Sequence, residues 1–78
     1  MIKKQMKLVI TFHTTTEAMA MEQMCKKEQA DGRIMPVPRV ISASCGLAWC
    51  ANLESRETLE ELMKIKGITY QEIHECLV

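Results

Sequence analysis

From Lys7 to Phe12 the chain reads Lys-Leu-Val-Ile-Thr-Phe, a β-branched and apolar run that predicts a buried strand. The pattern then changes period. Thr14-Thr15-Thr16-Glu17 has the spacing of a capping box: the Thr14 hydroxyl accepts from the N–H of Glu17, and the Glu17 carboxylate reaches back to the N–H of Thr14. Ala18, Met21, Met24, Cys25 and Glu28 follow at intervals of three and four, predicting a helix to about Gln29 with the first four as its buried stripe. Asp31-Gly32 reads as the stop, with Gly32 in the left-handed cap position.

Arg33 to Pro38 predicts a second strand. Pro36 and Pro38 are two residues apart, so both missing N–H groups face one side, which only an edge strand tolerates. Val40 to Ser44 reads as a loop. Gly46 to Ala51 predicts a third strand, with Leu47, Trp49 and Ala51 on one face and Ala48 and Cys50 on the other. Ser55 is the candidate N-cap of a second helix, Arg56 to Lys66, with Leu59, Leu62 and Met63 as its apolar stripe and Ile65 beside it. Lys64 and Lys66 suit the negative end of its dipole, and Gly67 ends it. Ile68 to Leu77, carrying His74 and Cys76, completes a βαββαβ order.

The compact solution for that order is an α+β, ferredoxin-like sandwich: a four-stranded antiparallel sheet, order 4-1-3-2, with two helices on one face. This order makes strand 2 an edge, in agreement with the prolines. Strand 4 is the other edge and the expected surface of a homodimer.

Composition narrows the function classes. Seventy-eight residues make one domain, 1–78, and seven methionines beside one Phe, one Tyr and one Trp predict an aliphatic, Met-rich core. Ten basic and ten acidic residues cancel, which argues against a nucleic-acid partner. No apolar run reaches the ~18 residues of a membrane span, and the start does not read as a signal peptide, so a cytoplasmic protein without a membrane partner is expected. In that compartment Cys25, Cys45, Cys50 and Cys76 do not read as a disulfide framework. No phosphate loop or dinucleotide motif stands in the chain, so no cofactor is expected. The Cys45–Cys50 spacing is not C-x-x-C, and a metal site would have to gather Cys45, Cys50, His13 and His74 or Cys76 without ligand spacing; no metal is expected. Glu54, Glu57, Glu60 and Glu61 decorate a helix.

The candidate chemistry lies in Pro36-Val-Pro-Arg-Val-Ile-Ser-Ala-Ser-Cys-Gly46. Cys45 stands among small residues that leave its sulfur accessible, with Ser42 nearby. Arg39 offers a fixed positive charge, and Gly46 can turn backbone N–H groups towards a neighbour. Such surroundings favour thiolate, which is the nucleophilic form. The predicted topology also brings the start of strand 3 beside the end of strand 1, so Cys45 is expected near His13 and the helix start at Thr14, with its partial positive charge. His13 offers a proton shuttle there. Cys25 and Cys50 read as structural, Cys76 as a strand residue.

Phe12-His-Thr-Thr-Thr-Glu-Ala18, Pro36-Val-Pro-Arg39 and Ile41-Ser-Ala-Ser-Cys-Gly-Leu-Ala-Trp49 together resemble the selenium/sulfur carrier protein-like family of small bacterial domains, over nearly the whole chain. The resemblance implies a carrier cysteine at Cys45, within a pattern that Pro36, Pro38, Arg39, Ser42 and Gly46 match. It implies donor and acceptor proteins for sulfur or selenium as partners. Cys50 departs from the pattern, where a basic residue is common, and supplies a second thiol. Three readings follow: a carrier without turnover, a small interaction or regulatory module with no thiol chemistry, and a thiol oxidoreductase or metal-handling protein.

Overall fold

The computed structural model describes residues 6–38, 41 and 46–77, the last by its backbone. Its elements are β1 (Met6–Thr11), α1 (Thr15–Glu28), β2 (Arg33–Pro36), β3 (Leu47–Asn52), a 3-10 turn (Leu53–Ser55), α2 (Arg56–Lys66) and β4 (Glu72–Leu77). The strands form one sheet in the order β2-β3-β1-β4, every pair antiparallel. Read from the other edge, this is the 4-1-3-2 order expected from sequence.

Residues directly opposite in an antiparallel pair share a face. Leu8 faces Ala51 and Ile10 faces Trp49. These four join Phe12, the α1 stripe Ala18, Met21, Met24 and Cys25, and Leu59 and Met63 of α2 in one core, so both helices cover the same side. Each fully buried side chain of Leu, Ile or Phe size contributes about 1.5–3 kcal/mol. Trp49 is buried and its indole N–H donates to the Asp31 carbonyl at 3.0 Å. On the helix-free side the register sets up three cross-strand rows: Met35, Ala48, Thr11 and Glu72; Arg33, Cys50, Val9 and His74; Asn52, Lys7 and Cys76.

The prolines lie where an edge strand can hold them. The Val37 N–H turns to β3 and donates to the Gly46 carbonyl at 3.1 Å. Neighbouring residues point the opposite way, so Pro36 and Pro38 place their missing donors on the open side of β2.

Three local expectations are corrected. Gln29, not Gly32, takes the left-handed cap of α1 (φ 55°). Cys25 O accepts from the Gln29 N–H, and from the Ala30 N–H at 2.8 Å. The helix therefore closes before Gly32, which brings Ala30 against the core. Ser55 stands before α2 without capping it, because its hydroxyl donates instead to Asp31 Oδ2 at 3.0 Å. The last strand begins at Glu72, since Ile68 N–H closes the end of α2 on Met63 O, with Gly67 left-handed between. Ile65, expected beside the stripe, is 68% exposed.

Candidate functional site

Thr11 opposite Ala48 places the end of β1 beside the start of β3, and β1 leads within a few residues into α1. The β2–β3 loop therefore leaves and enters the sheet at the end where α1 begins. Cys45, Arg39 and Ser42 lie outside the described residues. Their flanks are held by Val37 on Gly46 and by Ile41 N–H on Pro38 O at 3.0 Å. Gly46 is exposed, does not use a positive φ, and a Cβ there would meet nothing within 4 Å. The turn freedom expected of this glycine is not used at residue 46 itself.

The start of α1 carries the carboxylate that its capping box places there. Thr14 is the N-cap, and its hydroxyl accepts from Glu17 N–H at 3.2 Å, as the capping box requires. The Glu17 carboxylate reaches back as expected to the Thr14 backbone, and also one residue further, accepting from His13 N–H at 2.7 Å. Its second oxygen accepts from the Thr69 hydroxyl, tying α1 to the α2–β4 connection. The Thr69 and His13 hydrogen bonds, with a smaller contribution from His13 charge, hold this carboxyl below the usual range, so it is ionised at neutral pH. His13, an exposed side chain, places Nδ1 3.3 Å from Glu17 Oε1. The two residues expected to serve the thiol from this side, His13 and Thr14, are thus both engaged by Glu17. This carboxylate answers the positive end of the helix. The signal for it was the capping box; its link to Thr69, 52 residues away, has no local signal.

The three described thiols share one property. Burial pushes Cys25 up to about 11, with Asp31 adding to the effect, and the side chain is 2% exposed. Burial also raises Cys50 and Cys76, which stand half-buried on the helix-free face. At Cys50 the charges of Lys7 and Arg33 oppose the rise. Cys25 and Cys50 are where a structural role places them, in the core and in strand β3. His74 of β4 is half-buried, and among the described residues its Nε2 has no hydrogen-bond partner.

A second constellation was missed from sequence. Lys7, Asp31, Arg33, Cys50 and Asn52 line a concavity of about 320 Å³ across β1, β3 and the entry to β2. Asp31 organises its floor, accepting from Asn52 N–H at 2.9 Å and from the Ser55 hydroxyl. Those bonds hold its carboxyl low against the opposing effect of burial. Residue types alone could not find this cluster, because the register that sets Arg33 opposite Cys50 joins segments 17 positions apart. Among the described residues no three His, Cys, Asp or Glu side chains gather as a metal site, and no helix is long and apolar enough to cross a membrane.

Comparison with family models matches residues 7–75 to the family described as "Putative Se/S carrier protein-like". Comparisons with curated proteins and with solved structures gave no match.

Proposed function

The chain belongs to the selenium/sulfur carrier protein-like family, and from that membership we propose that it is a carrier whose cargo-bearing group is the Cys45 thiol. The observation that carries the choice of thiol is the state of the other three: burial biases Cys25, Cys50 and Cys76 towards the protonated, slower-reacting form. Cys45 sits in the segment between β2 and β3, among the small residues Ser42, Ala43, Ser44 and Gly46.

In the loading step the Cys45 thiolate attacks the terminal sulfur of a donor protein's persulfide. The donor S–S bond breaks, a Cys45 persulfide forms, and the donor cysteine leaves as thiolate. No oxidant is consumed. Selenium follows the same course, giving the selenium analogue of the persulfide. An acceptor's nucleophile then takes the terminal atom and returns Cys45 to thiolate. Arg39 supplies positive charge for the terminal anion, Ser42 and the Gly46 N–H supply donors, and His13 with Thr14 borders the site at the start of α1. The protein turns nothing over by itself; donor and acceptor proteins are its partners, and the cytoplasm its proposed setting.

Alkylation rates test the choice of thiol. The native protein is treated with substoichiometric iodoacetamide at pH 7 and mapped by peptide mass. The proposal expects Cys45 to be modified at least ~10-fold faster than each of the other three, as thiolate fraction dictates. Uniform labelling, or a faster Cys50 or Cys76, would remove Cys45 from this role.

A further inference from the structure

The concavity around Cys50 lies on the helix-free face and draws its positive charge from two strands, Lys7 of β1 and Arg33 of β2. Arg33 stands directly opposite Cys50 across the β2–β3 pair. Lys7 is the diagonal neighbour of Cys50 across the β3–β1 pair, since Val9 is its direct partner. Such neighbours lie within reach of long side chains. Both cations act on the Cys50 sulfur.

One opposing charge, Asp31, stands in the lining, and it acts on Cys50 less than Lys7 or Arg33 does. The Asp31 carboxylate accepts from Asn52 N–H and the Ser55 hydroxyl. Lys7 Nζ gives one donor to Asn52 Oδ1 at 2.5 Å and retains two. Arg33 makes no ion pair or side-chain hydrogen bond among the described residues, and its guanidinium offers five donors suited to a carboxylate. The lining thus sets two cations, Lys7 and Arg33, against one carboxylate, with half-buried Cys50 in its wall.

We propose that this concavity is a binding site for a small, carboxylate-bearing thiol compound, held by Arg33 and Lys7 and captured on Cys50 as a mixed disulfide. The co-reactant is the symmetrical disulfide of that compound. Cys50 loses its proton to solvent and its thiolate attacks one sulfur; the S–S bond breaks, a Cys50–S–S–R bond forms, and RS⁻ leaves and takes up a proton. One protein thiol is oxidised and half of the disulfide is reduced. Binding concentrates the reagent at a sulfur that burial keeps sluggish, so the site selects by charge rather than by an activated thiol. It makes no use of Cys45.

The test uses the Cys45→Ser full chain, so that no adduct belongs to the carrier thiol. The protein is incubated at one pH with oxidised glutathione (anionic), hydroxyethyl disulfide (neutral) or cystamine (cationic). Adducts are located by intact mass and peptide mapping. Rates are divided by those of an unstructured cysteine peptide with each reagent. The expected result is an adduct of about 305 Da on Cys50 from oxidised glutathione. Its normalised rate exceeds that of the neutral reagent by ~10-fold or more, and salt removes the excess. Lys7→Gln with Arg33→Gln should bring the ratio near one; both cations also favour the Cys50 thiolate, so the neutral rate falls as well and the ratio is the readout. Equal normalised rates for the three reagents, or glutathione on Cys25 or Cys76 in place of Cys50, would overturn the proposal. The charge series needs no second variant, so it decides even if the double substitution fails to fold.

Discussion

At Gly32 the backbone takes a φ of 118°, and a Cβ built there would lie 2.2 Å from Trp49 Nε1 and 2.7 Å from the Cys50 carbonyl oxygen. The close approach lets the Asp31 carbonyl accept the Trp49 N–H and keeps a large side chain bound at one polar point in a small core. Gly32→Ala should therefore cost more than ~2 kcal/mol, from left-handed strain and overpacking together. Gly46→Ala should stay within about 0.5 kcal/mol, because its neighbourhood is empty and its φ is not positive. Urea unfolding followed by Trp49 fluorescence measures both; equal losses would contradict the geometry. The residues that carry these effects were unequally legible. Thr14 declares its cap because its partner is three residues away. Ser55 looks the same in sequence, but Asp31, 24 residues earlier, takes its hydroxyl. A local rule cannot see such a competitor.

Among the elements, α1 depends on Glu17 at both ends of its carboxylate, which accepts from His13 N–H and from the Thr69 hydroxyl. The folded state holds this carboxyl below its ordinary value of 4.5. A depressed carboxyl contributes stability that is present above the unfolded pKa and is lost as pH falls through the folded one. Glu17→Gln should therefore lower stability at pH 7 and flatten the loss of stability below about pH 4.5. Thermal melts of both proteins between pH 3 and 7 give the comparison; parallel curves over that range would show that the carboxylate is not linked to folding. The parity of β3 was readable because Leu47, Trp49 and Ala51 alternate with smaller or polar residues, and contact with the helix-side core follows that alternation, although Ala48 on the other face is fully buried too. The register was not readable. One residue's shift preserves composition while exchanging faces, and only the assembled sheet sets Arg33 and Lys7 about Cys50.

For the whole molecule, the two sheet edges differ. Pro36 and Pro38 turn their missing donors outward from β2, whereas β4 is a six-residue strand without proline. We expect a second copy of the chain to add along β4 and extend the sheet. Sedimentation across concentrations up to about 100 µM should show dimer, with hydrogen-exchange protection gained on β4 amides. A monomer throughout, or protection gained on β2, would contradict this. The strand order followed from the element order, and the paired prolines agreed with it independently, so the fold was legible well before the chemistry. The helix-start surroundings were legible only in outline: topology brings the β2–β3 loop to the α1 end and the capping box places Glu17 there, but the tie from Glu17 to Thr69 has no local signal.

The central claim is that Cys45 carries the transferred atom. Its most direct test is intact-mass spectrometry after incubation with a cysteine desulfurase and cysteine, on the native chain and on Cys45→Ser. The account predicts a gain of ~32 Da on the native protein, removed by reductant and absent from the variant. No gain, or the same gain on both proteins, would contradict it.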